Sequence, residues 1–231
     1  MIQNEYAKPV EYNTVLNPAI WDNNRLKSNV RGALLRMAED FKEFIGVPFE
    51  AADVVITGGN VNYNYTEHSD IDLHLIADFD QVRCDREVAE LFDSKRLLYK
   101  RQYDLSIHQI PVELYVEDHR MPAVSAGAYS VLSGNWIKKP QQDLPKYNEK
   151  ELAHWVAIWK KIFRQAIKTG DLRTCRNALK LLRQYRKLGL KKPEGEFSIP
   201  NLVYKSLRND QVIQGISILI DRLHDQELSI S

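Results

Sequence analysis

Residues 53–76 read DVVITGGNVNYNYTEHSDIDLHLI, and the way this stretch divides decides the fold. Asp53 to Ile56 is a short β-branched run that stops at Gly58-Gly59, the pattern of a strand entering a tight turn. The loop Asn60 to Ser69 is polar and rich in Asn and Tyr. From Asp70 to Ile76 acidic and apolar residues alternate. At period two, Asp70, Asp72 and His74 share one face while Ile71, Leu73 and Leu75 share the other. This is a second strand, with one buried face and one wet or functional face.

Working outward, Asn24 to Ile45 places Leu26, Val30, Leu34, Met37, Phe41 and Phe44 at three- and four-residue steps. That spacing predicts a helix, which Gly46 and Pro48 end. Arg86 to Lys95 reads as a short helix. Tyr99 to Ile107 and Val112 to Val116 read as further strands joined by a connection containing Pro111, so the sheet is mostly formed before residue 120. After Trp136 the pattern becomes helical. Leu152, Trp155, Trp159, Ile162 and Ala166 make one stripe, Gly170-Asp171 interrupts it, and Ile199 to Leu207 and Val212 to Leu223 follow as helices. The expected class is α/β: a mixed, twisted sheet flanked by helices, followed by an all-α C-terminal lobe. Prolines and polar residues at 140–147 suggest a boundary there, giving domains 1–140 and 141–231.

Composition bounds the reading. A chain of 231 residues with 44% hydrophobic and 27% charged residues can bury a sizeable core, which argues against general disorder. The N-terminus lacks a basic start followed by an apolar stretch, and the longest apolar run, Ile216 to Ile220, is too short to cross a bilayer. A soluble cytoplasmic protein with no membrane partner is expected. Cys84 and Cys175 match no zinc or redox spacing and read as buried thiols.

The formal charge of +1 hides an asymmetry. From Lys150 to Lys192 thirteen basic residues stand against Glu151 and Asp171, a segment charge of +11 that leaves −10 for the rest. Such separation suggests an anion-binding lobe joined to a carboxylate-rich one.

The chemistry centres on the strand 70–76. Two carboxylates spaced i, i+2 on one strand face repel unless a proton or cation is shared, and hard oxygens of this kind suit Mg²⁺ or Mn²⁺. Gly58-Gly59 would let phosphate oxygens approach backbone N–H groups. Glu113, alone between apolar neighbours on Val112 to Val116, has the parity of a third carboxylate facing the same site. Glu117 shares that parity, and Asp104 is placed on the adjoining strand. His74 is more plausibly a supporting group than a ligand, His68 a surface residue, and Trp155 and Trp159 core rather than base-stacking platforms.

At these residues the sequence resembles the DNA polymerase β-like nucleotidyltransferase superfamily. Its signature is a hydrophobic residue, Gly, Gly or Ser, a spacer, a hydrophobic-flanked Asp-x-Asp, and a later isolated acidic residue on a strand. Here these are Thr57, Gly58, Gly59, then Ser69-Asp70-Ile71-Asp72-Leu73, then Glu113, so the resemblance covers Asp53 to Asp118. It departs from the pattern in Thr57, in a Gly where a Ser would offer a hydroxyl, and in a spacer without Arg or Gly. Phosphate contact therefore falls on backbone N–H groups. The resemblance implies a nucleotidyltransferase-fold sheet and a magnesium-dependent enzyme that binds an NTP at Gly58, Gly59 and Ser69. Asp70 and Asp72 would hold Mg²⁺ or Mn²⁺, and an acceptor hydroxyl would attack the α-phosphate as pyrophosphate leaves. Glu113 would bind a second metal or take the proton.

One helix carries a signal of its own. At about 100° per residue, Arg173, Arg176, Lys180, Arg183 and Lys187 fall within a sector of roughly 80°, while Leu172, Cys175, Ala178, Leu179, Leu181, Leu182, Tyr185 and Leu188 fill the remaining face. Solvated faces usually mix signs, so an anion-binding face is expected. It favours an RNA acceptor such as a tRNA 3′ end and disfavours cationic acceptors. A protein hydroxyl, a nucleotide signal, and a catalytically silent RNA- or protein-binding module are the alternatives.

Overall fold

The computed structural model describes residues 6–82, 85–120, 125–142 and 144–229, with backbone alone for Asp85 and Arg86; Cys84 lies outside them. The chain divides into two compact units, Glu11–Leu144 and Met1–Val10 with Pro145–Ser231.

The first unit begins with a small hairpin, β1 (Trp21–Asp22) and β2 (Arg25–Leu26). Asn23 and Asn24 both take positive φ, 45° and 62°. A two-residue turn needs this to match strand twist, and Asn tolerates it better than most side chains. Helix α1 (Ser28–Ile45) buries Val30, Leu34, Ala38, Phe41 and Ile45 along one stripe and ends at Gly46. It starts four residues later than the periodicity suggests, because Asn24 to Leu26 belong to the hairpin.

Strand β3 (Ala51–Thr57) runs antiparallel to β4 (Ile71–Ala77), which runs parallel to β6 (Ile110–Asp118). Helix α2 (Asp85–Gln102) makes the crossover between β4 and β6, and the short β5 (Ser106–Ile107) pairs with the start of β6. Two strands follow residue 120: β7 (Ala128–Ser130) pairs with β3, and β8 (Asn135–Lys138) pairs with β7. The mixed sheet thus has the order β5-β6-β4-β3-β7-β8. The α/β class is as expected, and four of the six strands precede residue 120, with β7 and β8 added at one edge after it.

A second difference lies in 99–107. Tyr99 to Gln102 are the last turn of α2, not the start of a strand. Tyr99 is buried, its ring 4.9 Å from Phe41 and its hydroxyl donating to Asp40, so packing against α1 outweighs local β propensity. Both helices pack beside β4 and β6. Ile71, Leu73, Leu75 and Ala77 are fully buried while Asp72, His74 and Ile76 are only half-buried, the period-two division read from the sequence.

The second unit is all helical: α3 (Glu149–Thr169), α4 (Leu172–Leu190), α5 (Ile199–Asn209) and α6 (Val212–Leu228). Asn148 caps α3 by accepting from the Lys150 and Glu151 N–H groups, and Asp171 caps α4 by accepting from Thr174 N–H at 2.6 Å. Its core joins Leu152, Val156, Trp159, Phe163, Leu182 and Ile216. Trp155 packs against this core, and Cys175 is a buried thiol within it. Tyr6–Val10 belong here too: Ala7 N–H donates to Asp210, and Asn209 donates to the Lys8 carbonyl. Among the described residues no helix is long and apolar enough to cross a membrane.

Candidate active site

The parallel pairing of β4 with β6 sets Asp72 directly beside Glu113. Asp70 lies one step before β4 with the same parity as Asp72, and the three half-buried carboxylates offer oxygens all within 4.8 Å of one another. Three negative groups this close repel strongly in a partly desolvated site unless a cation is shared. An all-oxygen set with this spacing fits a hard divalent ion such as Mg²⁺.

Glu113 is the best defined of the three. Burial alone would raise its pKa, but hydrogen bonds from Lys100 and Tyr115 and the charges of Lys100 and Arg96 outweigh it and hold the carboxyl below its usual range. Lys100 Nζ donates to Oε1, and the Tyr115 hydroxyl donates to Oε2 at 2.7 Å. Burial, and then the negative charge of Asp72, push the Tyr115 phenol far up, so it stays a donor. Arg96 lies 5.0 Å from the Tyr115 ring centroid, a cation–π contact. A cavity of about 110 Å³ opens beside Glu113, lined by Arg96, Lys100, Tyr103 and Asp104 among others.

Neither rival carboxylate joins this cluster. Asp104 is exposed in the turn after α2, not on a strand. Glu117 turns to His74, its Oε1 3.1 Å from His74 Nδ1, and that contact holds its carboxyl low. The other ring nitrogen of His74 is 3.0 Å from the Thr57 hydroxyl, and the ring stacks on Tyr115 at 5.0 Å. His74 is therefore a supporting group that ties β3, β4 and β6 together beneath the carboxylates.

Gly58 cannot be another residue without disturbing the site. Its φ is +90°, and a Cβ there would stand 2.5 Å from Asp72 Oδ2. A Cβ on Gly59 would stand 2.9 Å from Ser69 Oγ, so the turn is closed down onto the strand that carries the aspartates. Ser69 Oγ accepts from Thr66 N–H at 2.9 Å, a bond that closes the loop before β4.

The Asn-rich loop does more than composition suggests. Asn60, Asn62 and Asn64 are buried, and Asn60 donates to the Ser69 and Asp70 carbonyls at 3.0 and 2.9 Å. Asn60 also accepts from Asn17 through its side chain and from Trp21 Nε1 through its carbonyl. Asn62 donates to the Gly58 carbonyl at 2.9 Å. These amides fasten the glycine turn and the aspartate strand to the same framework. The surplus of Asn in 60–64 was the available signal, but hydrophilic composition alone reads as a surface loop. Tyr115 was legible as the i+2 neighbour of Glu113, whereas Lys100 came from a segment read as strand. His68 is exposed, as expected.

The five predicted anion contacts lie apart from these residues in sequence and in unit. Arg173, Arg176, Lys180, Arg183 and Lys187 are all exposed on α4. The buried stripe of that helix is narrower than expected: Leu181 and Leu188 are 56% and 64% exposed. The core takes Cys175, Ala178, Leu179 and Leu182, and these two leucines sit at the margin between that stripe and the cations.

No protein-family model matches the sequence, and no curated protein is significantly similar to it. Among solved structures, a STING-associated CdnE c-di-GMP synthase from Capnocytophaga granulosa matches at 13% identity, covering 90% of this chain and 85% of that one, with a TM-score of 0.23. A TM-score this low leaves the functional reading to the site itself.

Proposed function

We propose that the chain is a divalent-metal-dependent nucleotidyltransferase that moves a nucleoside monophosphate from an NTP to an acceptor hydroxyl. The observation that carries this reading is the convergence of Asp70, Asp72 and Glu113, oxygens within 4.8 Å, beside a glycine turn. In this reading the Glu11–Leu144 unit is catalytic. The Gly58-Gly59 turn would receive the phosphates of the NTP, with the Ser69 hydroxyl beside it, and the Gly58 N–H, which donates to Ser125 Oγ at 3.4 Å, would exchange that partner for a phosphate oxygen. Mg²⁺ held by the three carboxylates would neutralise the triphosphate and polarise the α-phosphate toward attack. Glu113, kept ionised by Lys100 and Tyr115, would either complete the metal's ligand set or take the proton of the incoming hydroxyl. His74 and Asn60 hold the strand and the loop in register while this happens.

The helical unit, with its exposed cations, receives a phosphate-bearing partner. An RNA acceptor rests on charge alone, and nothing in the site specifies a tRNA 3′ end; a second nucleotide, as in a nucleotide-signal synthase, uses the same chemistry. The test is incubation of the full chain with each α-labelled NTP and Mg²⁺, alone, with total RNA, or with total protein. Pyrophosphate release that EDTA stops supports the reading, and the labelled species identifies the acceptor. Absence of pyrophosphate under all conditions overturns it and favours the silent binding module.

A further inference from the structure

At the opposite edge of the sheet from β6, the β1–β2 hairpin and β8 enclose a second cavity, of about 470 Å³, lined by Arg25, Asn24, Tyr63, Asn135, Trp136 and Lys139 among others. Its size suits a small organic ligand. Its chemistry differs from its surroundings. The Glu11–Leu144 unit carries 21 acidic against 14 basic residues, a net −7, yet among the described residues no acidic side chain lines this cavity and two cations do.

The aromatic wall is built, not incidental. Trp136 stacks on the buried Trp21 at 4.8 Å and 17°, Tyr129 meets both edge-on, and Trp136 Nε1 donates to the Asn24 carbonyl at 2.9 Å. Arg31 donates to the carbonyls of Val131 and Leu132, which fixes the turn between β7 and β8. Trp136 nonetheless remains part-exposed, whereas Trp21 and Tyr129 are buried. Arg25 and Lys139 are exposed, and among the described residues neither pairs with a carboxylate.

From this geometry we infer that the cavity is a second nucleotide-binding site, separate from the carboxylates, with a base on the Trp136 ring and phosphates on Arg25 and Lys139. An indole face accepts any base by stacking. Arg and Lys bind phosphate oxygens by charge-assisted hydrogen bonds. The Asn24 and Asn135 amides, carrying both donors and acceptors, suit a base edge. The aromatic wall shares a framework with the carboxylate strand: Trp21, stacked on Trp136, donates to the Asn60 carbonyl, and Asn60 donates to the Ser69 and Asp70 carbonyls. The inference is independent of the proposed transfer activity.

The test is titration of ATP into the full chain in EDTA, followed by tryptophan emission and calorimetry, with adenosine and tripolyphosphate as separate probes. ATP should bind, and each fragment should bind at least about tenfold more weakly, because each lacks one half of the contact set. Arg25→Gln with Lys139→Gln, both exposed and so compatible with the fold, should weaken ATP by at least about tenfold with an unchanged melting temperature. Equal ATP affinity in the double variant overturns the inference. So does tripolyphosphate binding as tightly as ATP, which would mark a simple anion patch, or no binding of ATP at all.

Discussion

The strand pair β4–β6 and the helix α4 both gather like charges, and they do so under opposite physical conditions. On the strands, three carboxylates are half-buried with oxygens inside 4.8 Å, and Glu113 accepts from Lys100 and Tyr115. On α4, five cations stand exposed along a solvated helix face. Coulomb repulsion at short range in a partly desolvated site needs a counter-charge, whereas water and salt screen exposed charges within about a Debye length of roughly 8–10 Å. The first arrangement therefore fits a bound cation, and the second is stable without a partner. Charge clustering alone is a weak functional signal, and charge clustering under desolvation is a strong one.

The comparison breaks most directly at the aspartates. Asp70→Asn or Asp72→Asn should lower nucleotidyl transfer by about a thousandfold or more, since metal-ion catalysis supplies several kcal/mol and each ~1.4 kcal/mol is tenfold. Removing one of several repelling charges should leave the metal-free fold intact or slightly more stable. Single-turnover rates and melting curves in EDTA check both halves. A variant that keeps wild-type activity would sink the site.

Gly58→Ala should come next. A Cβ 2.5 Å from Asp72 Oδ2, at a φ of +90°, forces the backbone or the carboxylate to move. Destabilisation of about 1–3 kcal/mol is expected, together with loss of the rise in melting temperature that the wild type should show on adding Mg²⁺. An alanine variant as stable and as Mg²⁺-responsive as wild type would show that the glycine turn does not constrain the site.

Glu113→Gln tests the electrostatics. Because the carboxyl is held below its ordinary value of 4.5, it contributes stability that is full above that pH and lost as pH falls through the lowered value. In EDTA the variant should be less stable than wild type at pH 7, and the gap should close as pH falls from 4.5 through the lowered value. Denaturant midpoints at several pH values give the answer. A gap that stays constant into acid would mean that the ion pair with Lys100 contributes nothing, and a gap that moves with Glu117→Gln instead would transfer the role to the neighbouring carboxylate.

Much of the sheet and of the carboxylate cluster was legible because strand parity is a strict rule: Ile71, Leu73 and Leu75 had to point one way and Asp70 and Asp72 the other. Glu113 could be placed for the same reason. Periodicity also located the four C-terminal helices. What failed lay where tertiary contacts decide. Tyr99 is β-prone in isolation and helical because Phe41 and Asp40 receive it. The strands β7 and β8 are short and gain their identity from β3 and the turn held by Arg31. Leu181 and Leu188 look like core in a helical projection and are exposed, because a projection shows which residues share a side but not how wide a stripe the neighbouring helices cover. The surplus of Asn in 60–64 could not be told from a surface loop, because buried amides such as Asn60 and Asn62 and solvated ones have the same composition.

The smallest effect should come from α4. Changing Arg176, Lys180 and Arg183 together to Gln removes three exposed charges from a run of like charges, and Gln keeps nearly the same helix propensity. Since no buried contact is lost, the unfolding free energy should change by no more than about 0.5 kcal/mol. At low ionic strength the change should be a gain, because self-repulsion along the helix face is relieved, and the gain should fade near 0.15 M salt as screening sets in over about 8 Å. Denaturant unfolding of both proteins at low and at physiological salt measures this. A loss of more than about 1 kcal/mol, largest at low salt, would mean that these cations already meet a carboxylate surface within the folded chain. The contrast between the two regions would then narrow, since α4 too would hold charges that the fold must neutralise, and its availability to a phosphate-bearing partner would fall accordingly.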